Sequence, residues 1–147
     1  MSARILPPLT SDERARLVQA ARGYLHVRWR HQGRSRQGVD CVGMLVVSFW
    51  SLGFQPQDAV GYGRIPYKSK LQEMLRVNLG DPIPKVQMRA GDIVVLKWKG
   101  DPSHVGLLLD YPLGGFALIH AFLQNKQVVE HRMDAEWLDR IVEVYRP

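Results

Sequence analysis

Apolar residues fall into two patterns along the chain. Up to about residue 80 they recur at helical spacing, and from Ala90 onward they form short β-branched runs separated by turn residues. In LTSDERARLVQAARGYL, Thr10 and Glu13 have the spacing of a capping box, and Leu17, Val18, Ala21 and Leu25 make one stripe that Gly23 can cut short. SKLQEMLRVNL repeats the arrangement: Ser69 and Gln72 form the box, Leu71, Met74, Leu75 and Leu79 the stripe, and Gly80 the stop. Between them lies CVGMLVVSFWSL, almost wholly apolar from Cys41 to about Leu52 and followed by Gly53. Its β-branched residues would also allow a strand, but its length favours a buried helix. The segments HVRWRHQGRSRQGV and QPQDAVGYGRIPY read as loops, and Pro82 and Pro84 form a spacer.

The second half predicts strands at DIVVLKW, HVGLLLD, FALIHAF and QVVEHRM, a brief helix at DAEWLDR and a last strand at IVEVYRP. Helices followed by meandering strands predict an α+β fold with helices packed on an antiparallel sheet, and no long helix separates the strands as a βαβ unit requires. At 147 residues, 46% of them hydrophobic and 23% charged, the expectation is one domain spanning 1–147 with a full core. A single cysteine allows no internal disulfide.

The net charge of +6 is unevenly placed. Residues 1–40 hold eight arginines, at 4, 14, 16, 22, 28, 30, 34 and 36, against Asp12, Glu13 and Asp40, a local excess of +5. Such a lobe suits a polyanionic partner or is a solvated face. Nucleic-acid binding rests on charge alone, because no helix-turn-helix, RNP or zinc-finger pattern is present. MSARILPPLTSDER lacks the apolar core of a signal peptide, which predicts a chain made in the cytoplasm, and no run has the length of a membrane span.

Candidate chemistry centres on Cys41, where the polar run RQGVD gives way to the apolar helix. The thiol is either a small core residue or a nucleophile at a helix N-terminus, where the dipole lowers a thiol pKa. Asp40 is the natural N-cap, and its charge opposes a thiolate unless an arginine neutralises it. A nucleophile needs a base, and two of the five histidines lie on adjacent predicted strands. In SHVGLLLDYPLGGFALIHAF, a turn centred on Pro112 sets His104 opposite His120. A turn centred on Leu113 sets His104 opposite Phe122, with His120 as its diagonal neighbour. Both registers put the two imidazoles on one face, and a helix carrying Cys41 on that sheet completes a cysteine–histidine–histidine set. Each residue alone is more often a satisfied core group.

Three blocks, WRHQGRSRQGVDCVGML, RAGDIVVLKWKGDPSHVGLLLD and ALIHAF, resemble the NlpC superfamily of papain-like cell-wall cysteine peptidases, in its short phage-tail and gene-transfer-agent forms. The resemblance implies a papain-like α+β fold, with Cys41 as nucleophile, His104 as base and His120 as the third residue. It also implies cleavage of peptidoglycan stem peptides, between D-glutamate and a diamino acid, and local opening of the wall during DNA delivery from a virion tail tip. A tail hub or tail-tip protein is the implied partner. The expected position of a family tyrosine, twelve residues before the cysteine, holds Trp29, whose indole donates but cannot accept a hydrogen bond.

Trp29, His31, Asp40, Tyr62 and Tyr67 are the expected site-lining residues, with Arg64 beside the tyrosines in the same loop. Asp92 reads as a turn or strand-start residue rather than an acid catalyst. Arg28, Arg30, Arg34 and Arg36 are expected to attract the carboxylates of a stem peptide. No cofactor is implied, and the zinc-ligand spacings C-x₂-C and H-E-x-x-H are absent. The alternative function is a structural tail-tip or assembly component whose peptidase site has decayed.

Overall fold

The computed structural model describes residues 4–58, 62 and 70–147. Helix α1 (Ser11–Arg22) starts from the expected capping box: the Thr10 side chain accepts from the Glu13 amide, and the Glu13 carboxylate accepts from the Thr10 amide. Leu17 and Ala21 are buried while Val18 and Leu25 pack at the core margin, as the stripe predicts. Helix α2 (Cys41–Ser51) is buried along nearly its whole length and ends before Gly53, whose φ of +86° suits glycine. Helix α3 (Lys70–Leu79) buries Leu71, Leu75 and Leu79 and is followed by Gly80 at φ +81°. The expected cap at Ser69 lies outside the described residues.

The loop expected before Cys41 is more structured than its polar sequence suggests. Strands β1 (Arg34–Ser35) and β2 (Gly38–Val39) form a two-stranded ribbon, and Trp29 bridges to Val39. Glycine makes this approach possible: a Cβ at Gly33 would strike the backbone of Gly38, and one at Gly38 the side chain of Arg30.

Five antiparallel strands form the main sheet: β3 (Ile93–Leu96), β4 (His104–Asp110), β5 (Phe116–Phe122), β6 (Gln127–Arg132) and β7 (Ile141–Tyr145). Their order is β6-β5-β4-β3-β7, so the meander is followed by a strand that returns to the far edge beside β3. The short helix α4 (Ala135–Asp139), capped by Asp134, makes that crossing. Asp92 holds the arrangement at its base. Its buried carboxylate accepts from the Arg89 amide and from Arg146 Nε and Nη2 at 3.0 and 2.9 Å.

Side chains alternate between two cores. Ile93, Val95, Val105, Leu107, Leu109 and Ile119 face α1 and α2, whereas Val94, Leu96, Leu108, Leu118 and Val144 face the α4 side with Met133 and Trp137. The fold is thus α+β, with the N-terminal helices, including that of Cys41, on an antiparallel sheet.

Candidate active site

Cys41 is the first residue of α2, and the chain turns into the helix through a dense polar anchor. Asp40 caps the helix: Oδ1 accepts from the Gly43 amide at 2.8 Å. Its other oxygen accepts from the Gln32 amide at 2.8 Å and from the Tyr62 hydroxyl at 2.6 Å. Arg34 donates to Asp40 Oδ1 at 3.1 Å, to both oxygens of Asp58 at 2.8 and 2.9 Å, and to the Tyr62 oxygen at 2.8 Å. Burial acts to lower the Arg34 pKa, but the hydrogen bonds with Asp58 and Tyr62 outweigh it, and the guanidinium stays charged. Gly43 lets this anchor close, since a Cβ there would strike the Gly33 carbonyl and crowd Arg34.

The expected depressed thiol pKa is not found. Burial of Cys41, only 7% exposed, pushes it up to about 12, and the charge of Asp40 pushes the same way. Backbone hydrogen bonds at Val105, Val42 and Cys41 offset only part of the effect. Neutralising Asp40 through Arg34 would still leave the burial that raises the thiol. Burial likewise pushes His104 down to about 3, with the charge of His131 adding to it. The resting pair is therefore a neutral thiol and a neutral imidazole.

The β4–β5 hairpin adopts the register centred on Leu113, with Leu107 opposite Ile119 and Asp110 opposite Phe116. Continued toward the strand ends, that register sets Gly106 opposite His120 and makes His104 its diagonal neighbour. His104 Nε2 lies 2.6 Å from His120 Nδ1. A Cβ on Gly106 would sit 3.2 Å from the His120 Cβ, so this glycine keeps space beside the pair. Burial, then the charges of His104 and His131, drive the His120 pKa well below its ordinary value.

One expectation needs correction. The imidazoles share the face of Leu108 and Leu118, whereas α2 packs on the opposite face. Thiol and imidazole come together at the rim, because His104 opens β4 and the Val105 backbone hydrogen-bonds the sulfur. There, Cys41 and His104 line one cavity of about 110 Å³ with Trp29, Asp40, Tyr62, Trp98 and Phe122.

A family model described as NlpC/P60 matches residues 26–146. The chain belongs to the NlpC/P60 family. A curated relative, the murein DD-endopeptidase MepS/murein LD-carboxypeptidase of Escherichia coli, is 24% identical over 135 residues, covering 92% of this chain and 63% of the relative. The chain therefore spans less than two thirds of the length of that relative. Among solved structures, an NlpC/P60 family protein from Bacillus cereus superposes with a TM-score of 0.67 at 19% identity, over 96% of this chain and 41% of that one. The NlpC/P60 domain of the peptidoglycan hydrolase SagA gives 0.64 at 21% identity, over 91% of this chain and 98% of that one. These structural likenesses concern the fold.

The NlpC/P60 site of this chain departs from expectation in several places. Trp29 lines the cavity, and the phenolic hydroxyl it lacks is brought into the same cavity by Tyr62 from another loop. His31 does not line the cavity; it stands beside Trp29 and Tyr62, with ring centroids 6.4 and 5.7 Å away. Tyr67 and Arg64 lie outside the described residues. Arg34 is committed to the anchor, and Arg28, Arg30 and Arg36 line a separate recess with His26 and Gln37, so the arginines do not form one rim around the thiol. Two residues escaped the sequence reading. Trp98 packs edge-on to His104, with centroids 5.8 Å apart, and His131 lies 2.9 Å from the far nitrogen of His120. The signal for His131 is the next hairpin register: in β6 it is diagonal to His120, which pairs with Val129. Among the described residues, no group of three or more His, Cys, Asp or Glu is arranged to hold a metal ion, and no helix is long and apolar enough to cross a membrane.

Proposed function

We propose that this protein is a cysteine peptidase that cuts amide bonds in peptidoglycan stem peptides. The observation that carries the reading is the shared cavity of Cys41 and His104, with His104 held from behind by His120. The Cys41 sulfur attacks the amide carbonyl as its proton passes to His104 Nδ1, the nitrogen not engaged by His120. Because the resting pair is neutral, this transfer accompanies the attack. The first-turn amides of α2 supply positive potential where the carbonyl oxygen gains charge. His104 then gives its proton to the departing amine, leaving a thioester on Cys41. Water adds to the thioester, His104 takes one of its protons, and the thiol and a new carboxylate are released. His120 holds the ring throughout, and Trp29, Asp40 and Tyr62 shape the cavity wall.

Family membership and the murein activities named for the E. coli relative support the substrate class. The finer reading is a D-glutamyl–diamino acid bond, cut by a virion tail-tip enzyme docked on a tail hub that opens the wall locally during DNA delivery. It rests on resemblance to the short phage-tail forms, whereas the name of the relative refers to D,D and L,D bonds. Digestion of purified murein, with new amino termini identified by mass spectrometry, distinguishes these bonds. Products identical for wild type and Cys41→Ala would defeat the proposal. The competing reading is a structural tail component with a decayed site. It is favoured by the elevated thiol pKa and predicts no digestion by either protein.

A further inference from the structure

The two histidines at the cavity are part of a longer row. His104 Nε2 lies 2.6 Å from His120 Nδ1, His120 Nε2 lies 2.9 Å from His131 Nε2, and His131 Nδ1 lies 2.9 Å from the carbonyl oxygen of Arg132. The inner rings are buried, whereas His131 is only partly covered, by Trp137 of α4 at a centroid distance of 4.7 Å.

We propose that His131 is a positioning residue that sets the tautomer of both inner histidines and lets solvent protons switch the base off. The proposal rests on the assignment of Cys41 and His104 as nucleophile and base. A carbonyl oxygen only accepts, so His131 Nδ1 carries the hydrogen and, in the neutral ring, Nε2 is the acceptor. His120 must then donate from Nε2, leaving its Nδ1 to accept. His104 must in turn donate from Nε2, which leaves a lone pair on Nδ1. One backbone carbonyl thus fixes three rings and presents a proton acceptor to the thiol.

The inner pair alone does not make this choice. With every proton moved to the other nitrogen, His120 Nδ1 donates to His104 Nε2 at the same distance, but His104 then presents an N–H to the thiol. His131 separates the two arrangements, because only the first gives its neutral Nε2 a donor.

The same wiring makes the row acid-sensitive. A proton taken up at His131 Nε2 turns that nitrogen into a donor, so His120 Nε2 must accept. His120 then carries its proton on Nδ1 and donates to His104 Nε2, and His104 holds its own on Nδ1. Both inner rings remain neutral, the added charge stays on His131, and the acceptor facing Cys41 is gone. Beside His131 stand His120 on β5 and its strand neighbours Arg132 and Glu130, the latter paired with Arg22. Beyond Trp137 lies the Glu136–Arg140 ion pair, with Arg140 over the Trp137 ring at 6.0 Å.

The test combines kinetics with ¹⁵N shifts of the imidazoles. Tautomers are read on the Cys41→Ala protein without substrate. The expectation is Nε2–H for His104 and His120 and Nδ1–H for His131, with His120 moving toward a tautomer mixture when His131→Phe is added. On a stem-peptide substrate, His131→Phe should lower kcat about tenfold or more with KM unchanged. His131→Gln, an acceptor that cannot titrate, should recover most of that loss. It should also keep kcat level to a lower pH than wild type. Unchanged His120 shifts in His131→Phe, or a wild-type pH profile in His131→Gln, would overturn the proposal. A protein that leaves murein intact overturns the peptidase reading instead, while the tautomer shifts still report on the row.

Discussion

Asp40 does two things of opposite sign for its neighbour. As N-cap and acceptor for Gln32, Arg34 and Tyr62 it fixes the first turn of α2, while its charge adds to the burial that holds the Cys41 thiol neutral. Asp40→Asn keeps a capping oxygen but removes the charge, so the thiol pKa should come down from about 12. Iodoacetamide should then alkylate Cys41 faster in the variant than in wild type at pH 8, and equal rates would exclude Asp40 as a cause of the raised pKa. Asp40→Ala also leaves Arg34 partly unpaired and should cost about 3 kcal/mol of stability, read from urea unfolding. Cys41 as a helix-terminal thiol was legible in the sequence because a polar-to-apolar switch marks a helix start. The sign of its pKa shift was not, because burial is a property of the whole packing and a dipole argument sees only one helix.

At the scale of elements, two glycines decide whether the parts can meet. Gly43 lets the first turn of α2 lie against the Gly33 carbonyl, and Gly106 leaves room for His120 across the hairpin. Gly43→Ala meets rigid backbone and should cost about 1–3 kcal/mol, seen as a lower urea midpoint. Gly106→Ala meets the flexible end of Leu118 at 2.6 Å, which can turn, and the His120 Cβ at 3.2 Å, which moves only with its strand. Its expected signature is a fall in kcat larger than the loss of stability accounts for, measured on the same samples; a variant with full kcat would show that His120 placement tolerates the shift. Capping boxes, stripes and strand runs were legible element by element because each obeys a local rule. The β1–β2 ribbon was not, because its two-residue strands carry no periodicity and are held by backbone contacts near Trp29 and Gly33. Nor was the placement of β7 beside β3, a long-range choice that α4 and the Asp92–Arg146 ion pair make together.

Across the whole molecule, the site lies where the two cores meet, and the second core contains histidines that must stay neutral for the fold to close over them. His104 is held down to about 3 and His120 well below its ordinary value, mainly by burial. In the unfolded chain both titrate near 6.5, so below that pH the unfolded state binds more protons than the native state. The stability tied to His104 is present above about pH 6.5 and drains away as the pH falls toward 3, by about 1.4 kcal/mol per pH unit, and His120 acts in the same direction. Urea midpoints measured from pH 7 down to pH 4.5, above the carboxylate range, should therefore fall steadily in wild type. His104→Leu removes one titrating ring from the buried row and should flatten that fall. Parallel slopes in the two proteins would mean that His104 takes up protons equally in the native and unfolded states. Burial would then not be what holds His104 neutral, and its imidazole would be a stronger base for the thiol than its surroundings imply.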